Sequence, residues 1–225
     1  MTEVRHRLRE AGDPMKAAQM QAYMKSALPF HGVSSPDCRV IMRDVLATHP
    51  LPGRATWLAT VLALWDDAGH REERYAALAV AKDRRYAGHR DADVLPLYRH
   101  LVVTGAWWDL VDDVATHLVG PLLLAHPGRV RPSVAAWATN EDRWLRRTAV
   151  ICQVGAKDRT DVPLLTTAVE ANLDDRDFFL RKAIGWALRQ HARTDPAWVR
   201  AFVEVHDDQL SGLSRREALK HLSTV

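Results

Sequence analysis

Within the run Trp107-Trp108-Asp109-Leu110-Val111-Asp112-Asp113, an indole and a carboxylate stand four residues apart at Trp108 and Asp112. On a helix that spacing puts both side chains on one face. An aromatic surface beside an anion can hold and stabilise a positively charged group. In a site of low dielectric the carboxylate can oppose positive charge that develops in a transition state, which is the need of oxocarbenium-like glycoside chemistry. It can also orient or deprotonate an attacking water. The plainer assignment gives tryptophan to the core and aspartate to the positive end of a helix. That suits Trp107 and Asp109, at the helix start, better than Trp108 and Asp112.

Two further pairs have the same character. Trp144 and Arg147 are three apart, and Lys182 and Trp186 are four apart, so each shares a helical face. Basic residues interleaved with aromatic ones suit a nucleic-acid backbone. The candidates for phosphate contact are Arg39, Arg43, Arg74, Arg84, Arg85, Arg146, Arg147, Arg181, Lys182, Arg215, Arg216 and Lys220. Half or more of them are expected to be solvated helix faces in i,i+4 ion pairs. Other chemistries find no support. The eleven histidines show no ligand pattern on one helix face, and no phosphate-cradling glycine loop or G-x-S-x-G elbow occurs. Cys38 and Cys152 lack zinc spacing and cannot make a disulfide framework. No metal and no cofactor are expected.

The elements that must position these residues are helical throughout. Apolar residues recur at three and four, with no convincing period-two strand. Breaks fall at Leu28-Pro29-Phe30-His31-Gly32, His49-Pro50-Leu51-Pro52-Gly53, Asp66-Asp67-Ala68-Gly69-His70, Tyr86-Ala87-Gly88, Val103-Thr104-Gly105, Gly120-Pro121, His126-Pro127-Gly128 and Thr194-Asp195-Pro196. Between them the pattern predicts helices over 15–27, 36–48, 53–66, 71–85, 91–102, 106–118, 130–139, 141–154, 160–172, 176–192, 195–207 and 212–223. Ser35, Asn140 and Asp195 are the expected caps.

The helices repeat in pairs. A basic residue followed by small and apolar ones opens the second helix of each pair at Glu73-Arg74-Tyr75-Ala76-Ala77-Leu78, Arg146-Arg147-Thr148-Ala149, Arg181-Lys182-Ala183-Ile184 and Arg215-Arg216-Glu217-Ala218. Arg147 to Lys182 is 35 residues and Lys182 to Arg216 is 34, while Arg74 to Arg147 is two such steps. The missing step falls at Val111, inside the Trp-Trp-Asp helix. Repeats of about 40 residues built from two helices make α-solenoids of the HEAT or armadillo kind. The expectation is one all-α domain over 1–225, an α-solenoid of HEAT-like two-helix repeats. Its concave basic face would bring together Arg74, Trp108 with Asp112, Trp144 with Arg147, and Lys182 with Trp186.

Composition agrees with a globular repeat protein: 225 residues, 47% hydrophobic and 26% charged, with no linker or low-complexity segment. No apolar run approaches the ~18 residues of a membrane span, and the N-terminus lacks a signal-like apolar core. The net charge of +3 and a pI near 9.0 are compatible with a polyanionic partner.

The blocks Trp107-Trp108-Asp109-Leu110-Val111-Asp112, Trp144-Leu145-Arg146-Arg147-Thr148-Ala149 and Arg181-Lys182-Ala183-Ile184-Gly185-Trp186-Ala187-Leu188-Arg189 resemble the AlkD-like DNA alkylation repair glycosylases. Tyr23-Met24-Lys25 with Pro29-Phe30-His31-Gly32-Val33 is similar to the N-terminal pattern of that family, and the likeness runs over 20–222. The resemblance implies HEAT-like helical repeats and excision of N7-alkylguanine and N3-alkyladenine from duplex DNA, without metal or cofactor. It implies that Trp108 and Trp186 flank the lesion deoxyribose, that Asp112 is the catalytic carboxylate and that Arg147 holds the adjacent phosphate. It also implies that the lesion stays stacked and is approached from the backbone, in contrast to base-flipping enzymes. Lys182, Arg74, Arg146, Arg181 and Arg216 join Arg147 as DNA-binding candidates. In the loop Val33-Ser34-Ser35-Pro36, Ser34 is the candidate for the opposite strand. The expected protein is a monomer, cytoplasmic and associated with the nucleoid, with no membrane partner. The alternative is a HEAT-repeat module that binds a DNA structure or a protein and does no chemistry.

Overall fold

The structure is a computed structural model that describes residues 1–222, and every regular element among them is helical. The chain forms two compact units, the first from Met1 to Arg90 and the second from Asp91 onward.

The first unit holds α1 (Thr2–Glu10), α2 (Pro14–Met24), α3 (Ser35–Thr48), α4 (Arg54–Asp66) and α5 (Arg71–Lys82), followed by a 3₁₀ turn at Arg84–His89. Helix α1 is an addition to the expected set. Its charged composition hides Val4 and Leu8, four apart and both buried, which are enough to seat it on α3 and α5. Asp13 caps α2 by accepting from the Met15 and Lys16 amides at 3.0 and 3.2 Å. The expected cap at Ser35 sits one residue earlier: Ser34 accepts from the Asp37 amide at 3.4 Å and Ser35 is the first helical residue. Glu72 on α5 fixes the loop between α2 and α3. Fully buried, it accepts the amides of His31, Gly32 and Val33 at 3.0, 2.9 and 3.1 Å. The loop closes there because Gly32 has φ +86° and a Cβ would lie 2.1 Å from the Asp13 carbonyl. Helices α4 and α5 pack through Trp57, whose indole N–H donates to the Val80 carbonyl at 3.1 Å.

The second unit holds α6 (Leu95–Gly105), α7 (Trp108–Val114), α8 (Gly120–Ala125), α9 (Pro127–Trp137), α10 (Arg143–Ile151), α11 (Val162–Glu170), α12 (Phe178–His191), α13 (Pro196–Val205) and α14 (Gly212–Leu219). Short 3₁₀ turns lie at Ala92–Val94 and Lys157–Arg159. Residue 223, the last of the expected final helix, lies outside the described residues. Helices α7, α10, α12 and α14 pack side by side in chain order, which is the stacking of an α-solenoid. The expected period is visible in the bonds between neighbouring repeats. The Asn172 amide donates to Ala138 O across 34 residues and Ser214 Oγ to Arg181 O across 33, both in a buried or partly buried setting.

Gly120-Pro121 was expected to break the chain, and it does not. Residues Ala115–Val119 form a π turn that joins α7 to α8. Proline lacks an amide and its ring crowds the carbonyl four residues back, so a widened turn lets the helix run through it. Gly120 also permits close packing, since a Cβ there would lie 2.1 Å from the Cys152 carbonyl of α10's C-terminal end. The expected cap at Asn140 is replaced by Asp142, which accepts from Trp144 and Leu145 at 2.7 and 3.1 Å. Asp195 caps α13 as expected, accepting from Trp198 at 2.9 Å. Each such cap stabilises its helix by about 1 kcal/mol.

Candidate active site

Helix α7 begins where it does because Ala106 ends α6 in a left-handed conformation, φ 43°, and Trp107 then extends as the N-cap residue. Trp107 is held by packing. Its ring lies 5.5 Å from that of Phe179, edge-on, and 6.2 Å from that of Trp144. Asp109 occupies the first turn, where the helix dipole favours an anion. Trp108, the first residue of the helix, and Asp112, one turn after it, share a face, and both are half-buried.

Opposite Asp112 stands Arg147 of α10, 35 residues later. Arg147 Nε donates to Asp112 Oδ1 and Nη2 to Oδ2, both at 2.7 Å. Its Nη1 donates to the backbone carbonyl of Phe179, at the start of α12. The guanidinium is thus shared by three successive inner helices. Arg147 is only 5% exposed, whereas the Asp112 side chain keeps 19%. A two-pronged bond of this length aligns the planar fork with the carboxylate and fixes its orientation. Burial pushes the Asp112 carboxyl above its ordinary value, and the hydrogen bonds and charge of Arg147 pull in the opposite direction. Both oxygens accept N–H groups, which is the arrangement of the ionised form.

The remaining expected site residues are distributed as follows. Trp186 is half-buried on α12. Trp144, expected on the inner surface with Arg147, is instead buried at 4% exposure. It packs on Phe179 at 5.1 Å, with the Arg143 guanidinium 5.0 Å above its ring. The reason is local: with Asp142 as cap, α10 turns Trp144 toward the aromatic cluster seeded by Trp107. Arg146 braces the preceding loop by donating to the Asn140 and Glu141 carbonyls and to Asp175 at 2.6, 2.9 and 2.9 Å. Lys182 donates to Glu217 at 2.9 Å. Arg181 is half-buried, and its Nε is enclosed without a hydrogen-bond partner. Arg216 is exposed. In the first unit, Arg74 lies over the Trp65 ring at 5.0 Å and Ser34 is a helix cap.

Sequence reasoning missed Phe179, whose carbonyl anchors Arg147, and Glu217, which receives Lys182. A backbone acceptor leaves no trace in side-chain chemistry. Glu217 did leave one, since it stands one repeat after Lys182 just as Arg147 stands one repeat after Asp112.

One cluster among the described residues gathers metal-ligating types. His31, His70 and Glu73 of the first unit bring their donor atoms within 4.8 Å of one another. The two imidazoles lie face to face, 3.6 Å between centroids and 12° between planes. Their in-plane lone pairs therefore run side by side and do not converge on one ion. Glu73 is already engaged by Arg5 Nε at 2.7 Å and by the His70 amide at 3.2 Å.

An all-helical repeat protein with a carboxylate clamped by a buried guanidinium and flanked by a half-buried indole is the class that fold and site define. The sequence matches the family described as DNA alkylation repair enzyme over residues 4–222, and the chain belongs to that family. A solved structure described as a predicted DNA alkylation repair enzyme from Enterococcus faecalis is similar at 28% identity and a TM-score of 0.84, over 95% of this chain and 98% of that chain. Comparison with curated proteins finds no match. No helix among the described residues is long and apolar enough to cross a membrane.

Proposed function

We propose that this member of the family is a DNA glycosylase that hydrolyses the N-glycosidic bond of cationic alkylated purines, N7-alkylguanine and N3-alkyladenine, in duplex DNA. The observation that carries the reading is the Asp112 carboxylate. Arg147 holds it in one orientation, its edge stays partly open, and Trp108 stands one turn before it. An N7- or N3-alkylated purine already bears positive charge, so it departs without a general acid and the reading calls for no metal or cofactor. The charge that develops is then on the sugar. A fixed carboxylate opposes it in the transition state more than in the ground state, which is the condition for catalysis. Each carboxylate oxygen accepts only one N–H from Arg147 and has a further lone pair for the sugar or for an attacking water.

Trp108 and Trp186 would contact the lesion deoxyribose. Arg147 serves first as the partner of Asp112, so its role toward phosphate would be through the edge of a guanidinium already occupied. Arg216, which is exposed, is a freer candidate for phosphate. Both units are read as one repair domain, supported by a family match that spans them, and the proposal has it act as a monomer at the nucleoid.

The test is release of 7-methylguanine from a methylated duplex, with wild type beside Asp112→Asn. Loss of one preorganised electrostatic group is expected to cost on the order of 3 kcal/mol, a few hundredfold in rate, with DNA binding largely kept. Excision at the wild-type rate by Asp112→Asn would show that the carboxylate is not catalytic. No release by the wild type would favour the binding module.

A further inference from the structure

Helix α14 meets α12 more closely than side chains ordinarily allow. A Cβ on Gly185 would lie 2.5 Å from the Glu217 Cβ and 2.9 Å from the Ser214 carbonyl. Ser214 Oγ donates to the Arg181 carbonyl at 2.8 Å. From this contact Glu217 receives two cations at once. Lys182 Nζ donates to Oε1 at 2.9 Å and Arg189 Nη1 donates to Oε2. Lys182 and Arg189 are seven residues apart, which is about 10 Å along a helix axis. For both to reach one carboxylate, their stems must run toward each other along the α12 face. Trp186 lies on that face, four residues after Lys182 and three before Arg189.

We propose that Glu217 is a positioning residue for the Trp186 wall: by holding Lys182 and Arg189 against α14 it fixes the surroundings of the indole and keeps both cations from DNA phosphate. The proposal rests on the glycosylase reading for the part that concerns excision, and on DNA binding alone for the part that concerns charge. The Glu217 side chain keeps 17% exposure and Arg189 20%, while Lys182 keeps 42%, so the Arg189 link is the one a passing phosphate displaces at the greater cost. It inverts the neighbouring arrangement. Asp112 puts the acid on the earlier helix and the base on the later, while here the base comes first.

The experiment uses the full chain. Affinity for an undamaged duplex is measured across a salt series, and excision of 7-methylguanine is measured in single turnover, for wild type, Glu217→Gln and Lys182→Met. Each phosphate contact contributes about 0.9 to the slope of log affinity against log salt. Glu217→Gln is expected to steepen the slope by roughly one to two such contacts and tighten binding at low salt, while excision slows tenfold or more. A variant that merely unfolds loses affinity and excision together, and that outcome overturns the proposal, as does excision by Glu217→Gln at the rate of an active wild type. Lys182→Met, at a half-exposed position, is expected to leave the slope unaltered. A slope lower by about one contact would make Lys182 a phosphate ligand and also overturn it. If wild type releases no base but Glu217→Gln still steepens the slope, the glycosylase reading has failed and the charge assignment stands.

Discussion

The contact between Asp112 and Arg147 can be weighed without reference to DNA, by a double-mutant cycle. Asp112→Asn and Arg147→Met each remove one charge and leave the other mostly enclosed and unanswered. Breaking a fully buried pair in this way costs roughly 3 to 5 kcal/mol. Arg147 is almost wholly buried but Asp112 retains 19% side-chain exposure, which places each single variant near the lower limit, about 3 kcal/mol. In a protein of this size that is a fall in Tm of roughly 6 to 12 °C. The double variant has no charge left to strand, so it should be less destabilised than the sum of the singles by about 2 kcal/mol, within the range of ~0.5 to 3 found for residues in contact. The bond from Arg147 to the Phe179 carbonyl is lost in both Arg147 variants and cancels in the cycle. Urea unfolding followed by circular dichroism and by tryptophan fluorescence supplies the free energies, with coincident transitions as the check on their use. Additivity to within about 0.5 kcal/mol would mean that the two-pronged bond contributes nothing to stability, and that the guanidinium does not organise the carboxylate.

Acidity and packing give two more expectations. In the proposed mechanism Asp112 works as the carboxylate, and burial raises its proton affinity above the ordinary aspartate value of 3.8; excision should therefore fall on acidification through a midpoint above 3.8, and a pH profile flat down to the ordinary aspartate range would refute the assignment. Gly120→Ala would push a methyl group to 2.1 Å from the Cys152 carbonyl, a backbone atom that cannot rotate away, so it should destabilise by about 1 to 3 kcal/mol; an unchanged Tm would show that α8 and α10 separate freely.

The repeat was legible in the sequence because it is carried by side chains of distinctive type at constant spacing. Arg147, Lys182 and Arg216 are separated by one repeat each, and the helices that bear them stack in that order. Element ends were less legible, since they depend on a single side chain finding a single amide. Ser34 and Ser35 are chemically alike, and only the path of the loop held by Glu72 decides which becomes the cap. Gly120-Pro121 reads as punctuation in any local scan, yet the π turn before it and the carbonyl beside it make it part of a continuous helix. At the site, Trp108 and Asp112 could be paired by helical spacing alone. The burial of Trp144 could not, because Trp144 and Trp186 look equally suited to an inner surface until Phe179 is placed.

The cations show the same limit most sharply. A basic residue in the sequence is a candidate for phosphate, but its availability depends on where its nearest carboxylate stands. Arg146, Arg147 and Lys182 each meet one about a repeat away, at Asp175, Asp112 and Glu217, in partly buried settings. Arg215 pairs with Asp207 at 2.8 Å where both are half exposed to water. An exposed pair is worth only about 0 to 1 kcal/mol, so a phosphate can replace its carboxylate at little cost. A buried pair resists replacement, because removing one partner leaves the other desolvated. Two properties together therefore mark a cation as available to a phosphate: its place in the repeat, and the depth at which it is already answered. By that rule Arg215 and Arg216 on α14 are better placed to meet a backbone than Arg146 or Arg147, although the latter pair lies nearer Asp112.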